Sequence, residues 1–229
     1  MKKLYIITGP QGSGNHLWAK ILSAHQDVFG WEMEGYWEGH HKEPFSKVWV
    51  GEQSLNDLPL KQYNITSISC PYVWQGVNRI PDYERLIKEA KDLNIDVEFI
   101  VIGRDENILL QQQTRVRSQF TTTVFLEILK EVNVDHFIST ELLFLYKEKY
   151  LNQLSKQLEL PIDIEAADEH IQVNTNQKYI KPAKGTATDE MVKAAITDSV
   201  NGIGAKDFVK TQLELTDLNA SGNTWPNEE

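Results

Sequence analysis

Read for its alternation of apolar and polar positions, the chain divides into short β-branched runs and longer stretches of helical spacing. Residues 3–8 are β-branched and aromatic and end at Gly9-Pro10, which predicts a strand running into a glycine-rich turn. In residues 15–25, "NHLWAKILSAH", Leu17, Ile21 and Leu22 recur on one helix face. Residues 64–70, "NITSISC", predict a second strand stopped by Pro71. A helix over 83–93 follows Pro81-Asp82 and keeps Leu86, Ala90 and Leu93 on one side. Residues 97–102, "VEFIVI", are the most apolar run, as expected of a strand buried at the centre of a parallel sheet. Helices are predicted over 106–117 and 121–132, a strand over 134–139 and a long helix over 141–158. Residues 30–52 crowd aromatic and acidic side chains without a period and predict a long loop or short helices, with a strand at 47–50.

Strand alternating with helix is the pattern of an α/β fold with an open parallel β-sheet and helices on both faces. The expected organisation is one α/β domain over residues 1–165. Residues 166–229 are expected to form a loop and short helices, at 190–198 and 206–215, that pack on the same domain, with a loose tail from about 216.

Composition narrows the partners. The 229 residues are 41% hydrophobic and 24% charged, which suits a soluble globular chain. A net charge of -10 without a dense Lys/Arg cluster argues against nucleic acid. Cys70 is the single cysteine, so there is no intrachain disulfide, and a buried small hydrophobe in a reducing compartment is the expectation. No apolar run approaches the roughly 20 residues of a membrane span. Gly-Pro follows the first strand too early for a signal peptide, so a cytoplasmic protein without a membrane partner is expected. Oligomeric state is not legible.

In an open α/β sheet, ligands bind beyond the carboxyl ends of strands, and two strand ends carry chemistry. After the first strand, Gly9 and Gly14 have the separation of a P-loop, G-x-x-x-x-G-K-[ST], but Asn15 and His16 stand where the Lys and Ser/Thr belong. Backbone N–H groups opening a helix still form an anion site. Gly12 and Gly14 allow close approach, and Ser13, Asn15 and His16 donate hydrogen bonds. The alternative is a tight turn whose glycines serve packing alone. After the third strand, Arg104 leads into a helix capped by Asp105, and Gln112 lies about two turns along it. Arg104 and Gln112 either flank one phosphate or form a strand-end ion pair and a solvated helix face.

Three segments resemble, in order and spacing, the P-loop sulfotransferase family, whose donor is 3′-phosphoadenosine-5′-phosphosulfate (PAPS). "TGPQGSGNHLW" is similar to the family's 5′-phosphosulfate loop. "FIVIGRDENILLQQ" is similar to its 3′-phosphate motif, with Arg104 matching and Gln112 at the serine position. Residues 137–162 are similar to its later strand-Glu-Leu-helix block ending in Leu-Pro. The resemblance implies the three-layer sandwich of the P-loop nucleoside triphosphate hydrolases. It also implies PAPS as co-substrate, no metal, and transfer of a sulfuryl group to a hydroxyl of a small molecule or glycan.

Binding would fall to Gly9, Gly12, Ser13, Gly14, Asn15 and His16 at the 5′ end, and to Arg104 and Gln112 at the 3′-phosphate. Departures are visible: Gly12 stands where the family's loop is usually basic, and Ser69 where many members carry a catalytic His. The base would come from Glu34 first or His40 second, among Glu32, Glu38 and His41, as in branches that use a glutamate beyond the first helix. His16, Lys20 or Arg115 would replace the missing basic residue, and "KYIKPAKG", residues 178–185, has the composition of the loop that returns to the 3′-phosphate. Acceptors would enter along residues 31–41, whose aromatics can stack on a ring. Two other readings are a nucleotide kinase-like protein using ATP, disfavoured by the missing Lys and Ser/Thr, and a catalytically inactive nucleotide-binding relative.

Overall fold

The computed structural model describes residues 1–31, 42–117 and 121–173. A five-stranded sheet has the order β2-β3-β1-β6-β7, formed by β1 (Lys2–Gly9), β2 (Val28–Phe29), β3 (Tyr63–Ser69), β6 (Ile95–Gly103) and β7 (His136–Ser139). All its pairings are parallel. A two-stranded antiparallel hairpin, β4 (Tyr72–Trp74) and β5 (Val77–Arg79), stands apart from it. The helices are α1 (Asn15–Ser23), α2 (Ser46–Trp49), α3 (Tyr83–Asp92), α4 (Glu106–Arg117), α5 (Thr122–Leu129), α6 (Thr140–Gln157) and α7 (Ile164–Val173).

The period of two along each strand builds two cores. Tyr5 and Ile7 of β1, Ile65 of β3 and Ile100 and Ile102 of β6 face Leu17, Trp18, Ile21 and Leu22 of α1, with α6 and α7 in the same cluster. Leu4, Ile6, Ile68 and Phe99 point the other way, onto Val48 and Trp49 of α2 and Tyr83, Leu86 and Ala90 of α3. Helices therefore cover both faces, and the fold is three-layered α/β. Tyr5 also donates its hydroxyl hydrogen to the Leu158 carbonyl at 2.6 Å, tying the end of α6 to the central strand.

Local chemistry sets several boundaries. Asp82 caps α3 by accepting from the Arg85 N–H at 3.0 Å, and Ser139 caps α6 by accepting from the Leu142 N–H at 3.2 Å. α6 is broken at Lys147, whose φ is 42°.

Some expectations fail. Residues 47–50 are not a strand: Ser46–Trp49 is a helix, because Val48 and Trp49 reach the second core from one turn. β6 lies inside the sheet, between β1 and β7, but the middle seat belongs to β1. The β4–β5 hairpin turns at Gln75 and Gly76, both at positive φ, and was hidden in a short polar stretch. α7 forms where loop composition begins, because Ala167 and Ile171, one turn apart, bury in the first core. The short helices expected at 190–198 and 206–215 lie outside the described residues. Among the described residues no helix is long and apolar enough to cross a membrane.

Candidate anion site

From β1 the chain leaves toward β2 and β3 on one side, whereas β6 leads on to β7 on the other. The loops after β1 and β6 thus diverge, and the crevice between them is the topological switch point where open sheets bind ligands.

The first loop is fixed from several directions. The Ser13 N–H donates to the Pro10 carbonyl at 3.1 Å, closing a tight turn. The Thr140 hydroxyl, at the start of α6, donates to the Ser13 carbonyl at 2.9 Å and accepts from Trp18 Nε1 at 3.2 Å. Because a peptide is planar and trans, the Gly14 N–H is directed away from Thr140. Gly12 (φ 89°) and Gly14 (φ 108°) lie in the left-handed region, where a side chain is strained. Gly9 is needed for space, since a Cβ there would lie 2.5 Å from Ser13 Oγ. Gln11 anchors the apex: its Nε2 donates to the Pro71 carbonyl at 3.2 Å, and its own carbonyl accepts from Gln113. Gln113 in turn accepts from the Thr121 N–H at 2.7 Å.

The polar side chains of this loop are buried but incompletely used. Ser13 and Asn15 are 0% and 5% exposed, and Ser13 Oγ and Asn15 Oδ1 have no hydrogen-bond partner. Asn15 Nδ2 donates to Ser69 Oγ at 2.9 Å. An amide offers donor and acceptor alike, so turned over it would accept from the Ser69 hydroxyl and present N–H to an anion. The second strand end meets the same loop. Arg104 donates through Nη1 to the Gly12 carbonyl, and Gln112 Oε1 lies 3.5 Å from where a Gly12 Cβ would be. Asp105 caps α4, accepting from the Ile108 N–H at 3.0 Å. The structure therefore brings residues 9–16, Arg104 and Gln112 together at Gly12.

Of the proposed catalytic residues, only His16 lies among the described residues. Glu34 and His40, with Glu32, Glu38 and His41, lie outside the described residues, as do residues 178–185 and the Arg115 side chain. His16 packs its ring against Trp31, centroids 4.9 Å apart. Trp31 is 2% exposed and packs on Ala19, so its indole is interior, and the rest of the expected acceptor side, residues 32–41, lies outside the described residues. Lys20 lies beside His170 of α7, whose pKa is lowered by burial and then by that cation. Ser69, at the position the resemblance gives to a base, is instead the acceptor for Asn15.

Three residues escaped sequence reasoning. Thr140 and Gln113 hold the loop; the Ser-Thr after the last strand and the run of three glutamines were their signals. Glu43 is fully buried on the second face, accepting from the Thr66 hydroxyl at 3.0 Å and the Phe45 N–H at 2.8 Å. Burial pushes its carboxyl up to about 8. Only its place before Pro-Phe in an aromatic stretch marked it. Cys70 is buried, and burial pushes its thiol up to about 11, so it is no thiolate nucleophile near neutrality. Among the described residues, no group of three or more His, Cys, Asp or Glu side chains is placed to hold a metal ion. A cavity of about 780 Å³ between α6 and α7 is lined by none of the loop residues.

No protein-family model matches the chain, and no curated protein matches it. Among solved structures it is similar to mouse sulfotransferase SULT7A1 complexed with PAP, at 15% identity and a TM-score of 0.41. That match covers 90% of this chain and 80% of the other. A likeness at this level carries nothing about activity.

Proposed function

We propose that the chain is a cytoplasmic sulfotransferase-like protein that binds PAPS and serves a hydroxyl acceptor on a small molecule or glycan. The observation that supports this best is the glycine loop at the switch point, with two left-handed glycines and with Asn15 and His16 where a lysine and a metal-binding hydroxyl would stand. Such a loop offers dipoles and close backbone approach to an anion while lacking the parts that handle magnesium triphosphate. The buried oxygen atoms without partners and the glycine cradle fit a phosphosulfate. Bound there, PAPS would supply the sulfuryl group, leaving adenosine 3′,5′-bisphosphate.

The chain's own residues then have separable tasks. Gly12 and Gly14 keep the backbone open to the anion, and Thr140 and Gln113 prevent the loop from collapsing. Ser13, Asn15 and His16 would donate to it, with Arg104 and Gln112 alongside. Glu34 or His40 would take the acceptor proton, and a base within reach is worth typically 10²–10⁴-fold.

A second reading, binding without transfer, is favoured by one observation: Ser69 is bound to Asn15 and has no base to offer. Calorimetric titration with adenosine 3′,5′-bisphosphate, beside ATP with and without magnesium, tests the site. Micromolar binding of the bisphosphate alone is expected. Magnesium-dependent binding of ATP alone would move the assignment to a kinase-like protein, and binding of neither would leave the glycines as turn residues. With binding in hand, Glu34→Ala and His40→Ala, assayed for transfer across hydroxyl acceptors, separate an enzyme from a binder.

A further inference from the structure

We infer that Gln113 is a positioning residue of the anion site: by holding the Gln11 carbonyl inward it aims the Gly12 N–H at the anion, without touching the ligand itself. This rests on the nucleotide-binding reading above and adds to it what sets the direction of the loop's donors.

The hydrogen bonds around Gln11 carry the inference. Gln113 is 1% exposed; its Nε2 donates to the Gln11 carbonyl and its Oε1 accepts from the Thr121 N–H at 2.7 Å. A carbonyl only accepts and a peptide N–H only donates, so this side-chain amide fits in one orientation alone. The Gln11 N–H donates to Thr121 Oγ1 at 3.4 Å, which closes a ring. The main chain of Gln11 is thus gripped at both ends by α4 and the residue before α5.

Two residues on, the Thr140 hydroxyl does the same to the Ser13 carbonyl. Gln11, Ser13 and both anchors are buried, whereas Gly12 and Gly14 are partly exposed. In a planar trans peptide the N–H points opposite to the carbonyl. The Gly12 and Gly14 N–H groups therefore turn from the buried anchors to the open side of the loop, and among the described residues neither meets an acceptor. The buried Ser13 Oγ and Asn15 Oδ1, which lack partners, belong to the same cradle.

The test titrates adenosine 3′,5′-bisphosphate calorimetrically into wild type, Gln113→Leu and Gln113→Glu from about pH 5.5 to 9. Gln113→Leu removes both bonds and should weaken binding about 10-fold, since the Gln11–Gly12 peptide is then released. Glu has a charge state that decides its role. Protonated, it accepts from the Thr121 N–H with one oxygen and donates to the Gln11 carbonyl with the other, as Gln does. Ionised, it has no donor and repels that carbonyl. Burial and the bond to the Gln11 carbonyl both favour the protonated form. The affinity of Gln113→Glu should therefore approach that of wild type at the acid end and fall about 10-fold or more below it at the alkaline end. Arg104, on the neighbouring Gly12 carbonyl, keeps its charge throughout. His16, Glu43, Cys70 and Tyr83 are common to both proteins, so their titration cancels in the ratio of affinities.

A ratio that does not change with pH would overturn the inference, as would Gln113→Leu binding like wild type. So would variants that melt lower while their folded forms keep full affinity, which is the mark of a merely structural residue. Should Gln113→Leu not fold, Gln113→Glu decides alone, and its failure to fold even at the acid end, where both bonds are retained, also counts against the inference. Wild type that binds no bisphosphate at any pH would instead overturn the nucleotide reading on which the inference stands.

Discussion

Replacing Glu43 by Gln should make this protein more stable at pH 8 and remove much of its loss of stability above pH 5. The carboxyl is fully buried, and burial, opposed by donors from Thr66 and Phe45, raises its pKa from 4.5 to about 8. Between those values the folded chain keeps a proton that the unfolded chain releases. The unfolded state then binds fewer protons, so stability falls as pH rises through the window. The contribution is fully present below 4.5 and exhausted above about 8.

The two and a half pH units from 4.5 to 7, at about 1.36 kcal/mol each, set a ceiling of about 3 kcal/mol at pH 7. Local relaxation and water entry soften such penalties, so about 1–3 kcal/mol is expected. Gln preserves the shape and keeps a side-chain oxygen to accept from the Phe45 N–H. Urea unfolding of both proteins from pH 5 to 8 measures the difference, which cancels the opposite contribution of His170, whose lowered pKa makes stability rise with pH on the acid side. Wild type and variant should converge near pH 5 and separate toward pH 8. Parallel profiles would refute the buried, proton-holding carboxyl.

Thr140→Val should cost about 2–4 kcal/mol, because the Ser13 carbonyl and Trp18 Nε1 both lose a buried partner. Thr140→Ser, which keeps the hydroxyl, should stay within about 1 kcal/mol in the same denaturation assay. Cys70 should react with a thiol reagent at pH 8 only at the rate of unfolding, since burial raises its pKa to about 11 and denies access. Rapid labelling of the native protein would contradict its burial.

What sequence could determine here was local. Regular spacing of apolar residues located β1, α1, β3, α3, β6 and α4, and the α/β class followed from their alternation, because buried strands and one-sided helices impose different periods. The glycines at 9, 12 and 14 and the residues Arg104 and Gln112 were legible for the same reason: a turn into a helix and a charged strand end are written in consecutive residues. α2, the hairpin and α7 were not, since Val48, Trp49, Ala167 and Ile171 reveal their structure only through the core they enter. Only the tertiary structure could bring Arg104 and Gln112 to Gly12, hold the loop with Thr140 and Gln113, turn Trp31 inward and bury Glu43. Those relations join residues as far apart as Ser13 and Thr140, and sheet order and side-chain burial decide them, not propensity along the chain.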